Sequence, residues 1–178
     1  MVETGKVTKL KGDRITVRFP RKTACENCHM CLKSPDDMYV EIICDGKHLT
    51  PELIKLIYKI KGPDKIALIT DSLHLAGTKE THGFMQATEF IIEDGVCKLV
   101  DRSAFAGSIA TADRLVRVAT TEADIPLVEA VRMITEIPAK IMGLEEKGAI
   151  KAGYDADIVA FDEDINIKSV FAKGKQAV

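Results

Sequence analysis

The 178 residues predict an α/β fold built on parallel strands. Two apolar runs of strand length, MYVEIIC at 38–44 and KIALIT at 65–70, lack the alternation of a half-exposed strand, so each reads as a strand buried on both faces. Between them lies a fully signalled helix, TPELIKLIYKIKGP: Thr50 as N-cap, Pro51 at the first helical position, Glu52 near the positive end of the dipole and Gly62-Pro63 as the stop. Strand, helix, strand makes a βαβ unit, whose strands run parallel. Leu53, Leu56, Ile57 and Ile60 recur at i, i+3, i+4 and i+7, which predicts that this stripe of the helix faces the core.

The remaining elements follow from local patterns. The opening GKVTKLKGDRITVRF places Val7 and Leu10 against Ile15, Val17 and Phe19 around Lys-Gly-Asp, a β-hairpin with one buried face. ATEFIIE-DG-VCKLV is a second hairpin, with the Asp94-Gly95 pair that a two-residue connection favours. GSIATADRLVRVATTEA and IPLVEAVRMITEIPAKIMG read as two helices plus a short one started by Pro138, packing through Leu115, Val116, Ala119, Val128, Val131 and Ile134. DIVAF and IKSVFA then return to strands. The expected organisation is a hairpin with a cysteine-rich loop over 1–39, an α/β region over 40–147 and closing strands over 148–178.

Composition narrows the class. With 46% hydrophobic and 29% charged residues the chain is globular rather than disordered. No run of about 18 apolar residues offers a membrane span, and the start lacks the apolar core of a secretory signal, so a cytoplasmic location with no membrane partner is expected. Residues 1–33 hold eight Lys and Arg against three acids, a net of +5 in a chain of net −2. A hairpin with solvated basic residues explains that excess without a nucleic-acid partner. Five cysteines, three of them in CENCHMC, suit reduced thiols better than a disulfide framework.

Parallel strands end on the same rim, and in α/β folds that C-terminal rim binds ligands. Asp45, Gly46 and His48 follow the first strand; Thr70 and Asp71 follow the second. Two polar clusters on one rim look like parts of one site. From the residues alone, Asp71 stays open between a catalytic carboxylate and a turn cap. His74 and His82 read as solvated residues of a polar connection, and Asp155 and Asp157 as turn formers before a strand.

From about Val40 to Val178 the chain resembles the C-terminal part of the N-acetylglucosamine-6-phosphate deacetylases of the amidohydrolase superfamily. Seven motifs in order carry the resemblance: DGKHLTPE, KGPDKIALITDS, LAG, DGVCKL, FAGSIATAD, AVRMITEIPAKIMGL and KGAIKAGYDADIVAFD. It implies part of a (β/α)₈ TIM barrel with a small β-sandwich made from the chain ends. The implied reaction is hydrolysis of the N-acetyl group of N-acetylglucosamine 6-phosphate with a divalent metal ion of Zn or Fe type, which polarises the amide and acidifies the attacking water. On this resemblance Asp71 is the catalytic acid/base and His48 binds substrate, with Asp45, Gly46 and Lys47 on the same loop. Phe105, Ala106 and Gly107 match a stretch contacting the sugar. The family's metal-binding glutamate and histidines match nothing in this sequence, so no metal ligand is assigned and negligible deacetylase activity is expected of the chain alone.

Residues 1–39 depart from that pattern and resemble the N-terminal cysteine motif of the sigma-E regulator and SoxR-reducing family. Cys25, Cys28 and Cys31 could ligate zinc or an iron–sulfur cluster with Cys44 or His29 as a fourth ligand, or form an unmetallated loop. A gene fusion or assembly artefact, or a real small protein whose hairpin joins the C-terminal strands, would each explain the two resemblances. The competing functional class is a non-catalytic, cysteine-bearing redox or metal-binding regulatory module on a deacetylase remnant. An open sheet edge beside the βαβ unit makes self-association, as a homo-oligomer, the expected state.

Overall fold

The computed structural model describes residues 6–11 and 14–18 by their backbone, and residues 38–177 in full. Cys25, Cys28, Cys31, His29 and Phe19 lie outside the described residues. The chain divides into two units, Met1–Met38 and Tyr39–Val178.

In the first unit β1 (Lys6–Lys11) pairs antiparallel with β2 (Arg14–Arg18), Leu10 opposite Ile15 and Val7 opposite Val17. The register slips between Val7 and Lys9, so the hairpin is bulged rather than regular.

The second unit opens with the expected βαβ. β3 (Val40–Ile42) and β4 (Ile66–Leu68) are parallel, with Val40 beside Ile66 and Ile42 beside Leu68. They are shorter than the apolar runs that announce them, although Ile69 N–H still donates to Ile42 O (3.0 Å). Beyond β4 the chain meets residues 105–110: Ser72 and Ser108 form an isolated parallel bridge, Ser108 N–H donates to Asp71 O and Leu73 N–H to Ser108 O. β3 and β4 thus end on one rim, and the bridge ties the chain after β4 to Ser108.

Between β3 and β4 runs α1 (Pro51–Lys61), capped as the sequence predicts: Thr50 Oγ1 accepts from Leu53 N–H, and Gly62 ends it at φ +72°. Its buried face is a correction. Leu53, Leu56 and Ile60 are 42%, 48% and 65% exposed, whereas Ile54 is wholly buried and Ile57 and Tyr58 pack partly against the core. Apolar residues occupy more than half of this helix, so periodicity alone allows two overlapping stripes. The stripe through Ile54 and Tyr58 is the one that meets the core, and polar contacts at its edges accompany that orientation: Tyr58 Oη donates to Glu129 Oε2 (2.6 Å) and Lys55 pairs with Asp124.

β5 (His82–Met85), β6 (Thr88–Glu93) and β7 (Val96–Leu99) form an antiparallel sheet in that order. Asp94 and Gly95 both adopt positive φ, 54° and 77°, the type I′ geometry expected between β6 and β7. β5 is an addition, because His82 belongs to this strand rather than to a loop. Phe90 and Cys97 are wholly buried here and pack with Leu73, Leu75, Ala106 and Ile109, so this sheet supports the rim segments from below.

Helices α2 (Ala112–Thr121), α3 (Leu127–Ile134) and α4 (Glu136–Ile141) close the main core. Leu115, Val116 and Ala119 are buried as expected, but α3 buries Ala130 and Met133 while Val128 is 72% exposed. α4 begins at Glu136, so Pro138 lies within its first turn rather than at its start. β8 (Ile158–Phe161), β9 (Ile167–Ala172) and β10 (Lys175–Gln176) make an antiparallel sheet, and Asp155 and Asp157 both accept from Lys147 Nζ, a structural role. Among the described residues no helix is long and apolar enough to cross a membrane.

Candidate active site

The loop after β3 is organised by Asp45, whose carboxylate is 2% exposed. Oδ1 accepts from the backbone N–H of Lys47 and of His48, each at 2.9 Å, closing an Asx-type turn that Gly46 completes at φ +71°. Oδ2 lies 2.9 Å from His48 Nδ1. Burial raises the Asp45 carboxyl, but the backbone donors at His48 and Lys47 and then the His48 ring together hold it below the usual carboxylate range. An ionised carboxylate with both oxygens occupied has no need of a further partner. Asp45, expected among the substrate contacts, has both carboxylate oxygens engaged within its own loop.

His48 is gripped from a second direction. Its ring meets Phe105 edge-on, centroids 5.1 Å apart and planes inclined at 60°. The side chain stays 18% exposed, and among the described residues Nε2 has no hydrogen-bond partner. Lys47 is exposed, and its charge helps keep the Asp94 carboxyl low after the closer effect of Lys98.

Asp71 ends the neighbouring strand in the left-handed region, φ +48°, which Asp tolerates better than most residues. Its side chain is exposed and caps no turn. The capping role that the sequence left open for Asp71 belongs to Asp45. Ser72 Oγ donates to Ala110 O, which ties the residue after Asp71 to the 105–110 segment, and Ser108, wholly buried, braces that segment internally by accepting from Ala110 N–H through Oγ at 2.8 Å.

That segment links the two clusters: Phe105 touches His48, and Ser108 bonds the backbone of Asp71. Ala106 N–H is held by Cys97 O at 3.0 Å. Gly107 adopts φ +112°, and a Cβ there would lie 3.1 Å from Leu73 Cγ, so glycine allows the close approach.

Arg114 escaped the sequence reading. Its guanidinium donates to Gly95 O (3.1 Å) and, 69 positions away, to Asp45 O (3.0 Å), clamping the β6–β7 turn to the Asp45 loop, a link that no local pattern reveals. Cys44, offered as a fourth sulfur ligand, is sealed in the core, where burial and then the charges of Asp45 and Glu122 push its thiol up to about 12. His74 lies on the connection and His82 pairs with Glu89 (2.6 Å) on the far sheet; neither joins the rim cluster. Among the described residues no three His, Cys, Asp or Glu side chains converge to hold a metal ion. Two shallow clefts of about 230 and 310 Å³ share Tyr154 as a wall, and no candidate residue lines either.

The model of the amidohydrolase family matches residues 18–177. The N-acetylglucosamine-6-phosphate deacetylase of Haemophilus influenzae is 31% identical, covering 78% of this chain and 37% of that protein. The N-acetylgalactosamine-6-phosphate deacetylase of a Shewanella species is 29% identical, covering 79% and 35%. The solved N-acetylglucosamine-6-phosphate deacetylase of Pasteurella multocida superposes with a TM-score of 0.76 at 31% identity, over 80% of this chain and 37% of that one. The chain spans little more than a third of the length of these relatives. It belongs to the amidohydrolase family.

Proposed function

We propose that residues 40–178 carry the proton-handling and substrate-contacting part of an N-acetylhexosamine-6-phosphate deacetylase site, with N-acetylglucosamine 6-phosphate as the substrate and the rim of a (β/α)₈ barrel as its setting. The observation that carries the reading is the bridge between the two strand ends: Phe105 lies against His48, and Ser108 lies against Asp71. Relatives named for that activity are about 30% identical to this chain.

In this reading Asp71, exposed and unengaged at its strand end, takes a proton during amide cleavage and returns it to the departing amine. His48 presents Nε2 to the sugar's amide or hydroxyl groups. Phe105 supplies an apolar wall, and Gly107 lets its segment pack closely on Leu73 beside it. Amidohydrolases are generally metal-dependent, and a divalent ion supplies the polarisation of the amide. The described residues contain no donor set for one.

The test is a titration of the ¹⁵N-labelled chain with N-acetylglucosamine 6-phosphate, with glucosamine 6-phosphate as control. The acetylated sugar is expected to move the His48, Phe105 and Gly107 resonances more than the control does. Equal effects of both sugars, or no response at these residues, would overturn the proposal.

A further inference from the structure

The contact between Asp45 and His48 is built rather than incidental. A carboxylate that is 2% exposed sits 2.9 Å from one ring nitrogen, and its other oxygen is already committed to two backbone donors. Arg114 fixes the same residue through its carbonyl. Phe105 holds the ring from another side. The imidazole therefore has little freedom to turn, and what remains undetermined is which nitrogen carries the proton.

The hydrogen-bond chemistry answers that. A carboxylate only accepts, so the nitrogen facing it must donate. From this geometry we infer that Asp45 is a positioning residue, which fixes His48 as the Nδ1–H tautomer and leaves Nε2 as a bare acceptor for a ligand O–H or N–H group. The neutral ring thereby recognises a donor on the sugar, such as a hydroxyl or the amide N–H. It donates to a carbonyl or an oxyanion from Nε2 only as an imidazolium, whose positive charge the buried carboxylate balances. The ligand class rests on the deacetylase reading above, whereas the tautomer rests on the geometry alone.

Asparagine at position 45 inverts the arrangement. The Asx turn needs an acceptor at the two backbone N–H groups, so the amide oxygen takes the place of Oδ1 and the amide NH₂ faces the ring. Nδ1 then has to accept, and the proton moves to Nε2.

The experiment uses the full chain labelled with ¹⁵N-histidine at a pH about two units above the ordinary imidazole value of ~6.5. Long-range ¹H–¹⁵N correlations then distinguish the protonated from the bare ring nitrogen, and His48→Gln assigns the signal among the four histidines. The unsubstituted protein is expected to show a protonated Nδ1 and a bare Nε2, and Asp45→Asn to show the reverse. A protonated Nε2 in the unsubstituted protein overturns the inference, and so does an unchanged pattern in a folded Asp45→Asn variant. If that variant does not fold, the unsubstituted spectrum still decides. Titrating N-acetylglucosamine 6-phosphate into the same sample separates the two readings. A correct tautomer without sugar binding sinks the deacetylase reading and leaves the positioning role standing. The opposite tautomer sinks the positioning role whatever the sugar does.

Discussion

Replacing Ile54 by alanine removes three carbons from a side chain with no exposed surface, in the centre of the cluster formed with Ile42, Ile66, Leu115 and Met133. At ~0.8 kcal/mol per buried carbon the lost transfer term alone is about 2 kcal/mol. The cavity left behind adds to it, and buried Ile→Ala changes fall in a range of about 2–5 kcal/mol. Ile60, on the same helix and 65% exposed, provides the internal control. Its replacement by alanine should stay within about 0.5 kcal/mol, and the better helix propensity of alanine offsets part of any loss. Urea unfolding of both variants measures this directly, read as a shift of midpoint at unchanged slope. An Ile60→Ala variant that loses as much as Ile54→Ala would refute the orientation of α1, and with it the support beneath the β3 rim.

Three further outcomes are expected. Gly107→Ala forces a side chain into a left-handed backbone and against Leu73, so it should cost about 1–3 kcal/mol and loosen the link between His48 and Asp71; unaltered stability in urea would speak against the described geometry. Cys44, with its thiol pushed up to about 12, and Cys97, raised by burial, should remain unmodified by iodoacetamide in the native chain and react once it is denatured; peptide mass spectrometry reads this, and native alkylation of Cys44 at the rate of a free thiol would contradict it. Asp45 is held below its ordinary range, so its contribution to stability is present above the unfolded Asp value of ~3.9 and is lost as pH falls below that towards the folded value. Asp45→Asn should flatten that part of the acid-unfolding curve, and curves that run parallel to the unsubstituted protein would deny it.

What could be read in advance was what short-range chemistry dictates. Thr50, Pro51 and Gly62 bound α1 because capping needs only neighbours along the chain, and Asp94-Gly95 marks its turn because only such residues tolerate two successive positive φ angles. Parallel pairing of β3 and β4 follows from a helix-length crossover. The face of α1 did not follow, because its apolar residues allow two stripes and the one buried is the one that meets core partners such as Leu115 and Met133, about 60 to 80 positions away. Val128 failed for a similar reason: α3 turns Ala130 and Met133 inward, and small residues leave little mark on a hydrophobic pattern.

The candidate site divides the same way. Asp71 and His48 were visible as polar residues at strand ends, and the motif resemblance separated them from ordinary turn formers. That Asp45 is buried in its own turn while Asp71 is exposed was not visible, since an Asp after a strand looks alike in either setting. Arg114 could not be singled out at all, because its two acceptors are backbone carbonyls, which any sequence supplies.

The central claim is that the two strand ends serve one sugar. Intermolecular nuclear Overhauser contacts from the acetyl methyl group of bound N-acetylglucosamine 6-phosphate test it most directly. Contacts to the ring protons of both His48 and Phe105, retained in Asp71→Asn, are the expected result. Contacts confined to the clefts beside Tyr154, or none to either ring, would contradict it.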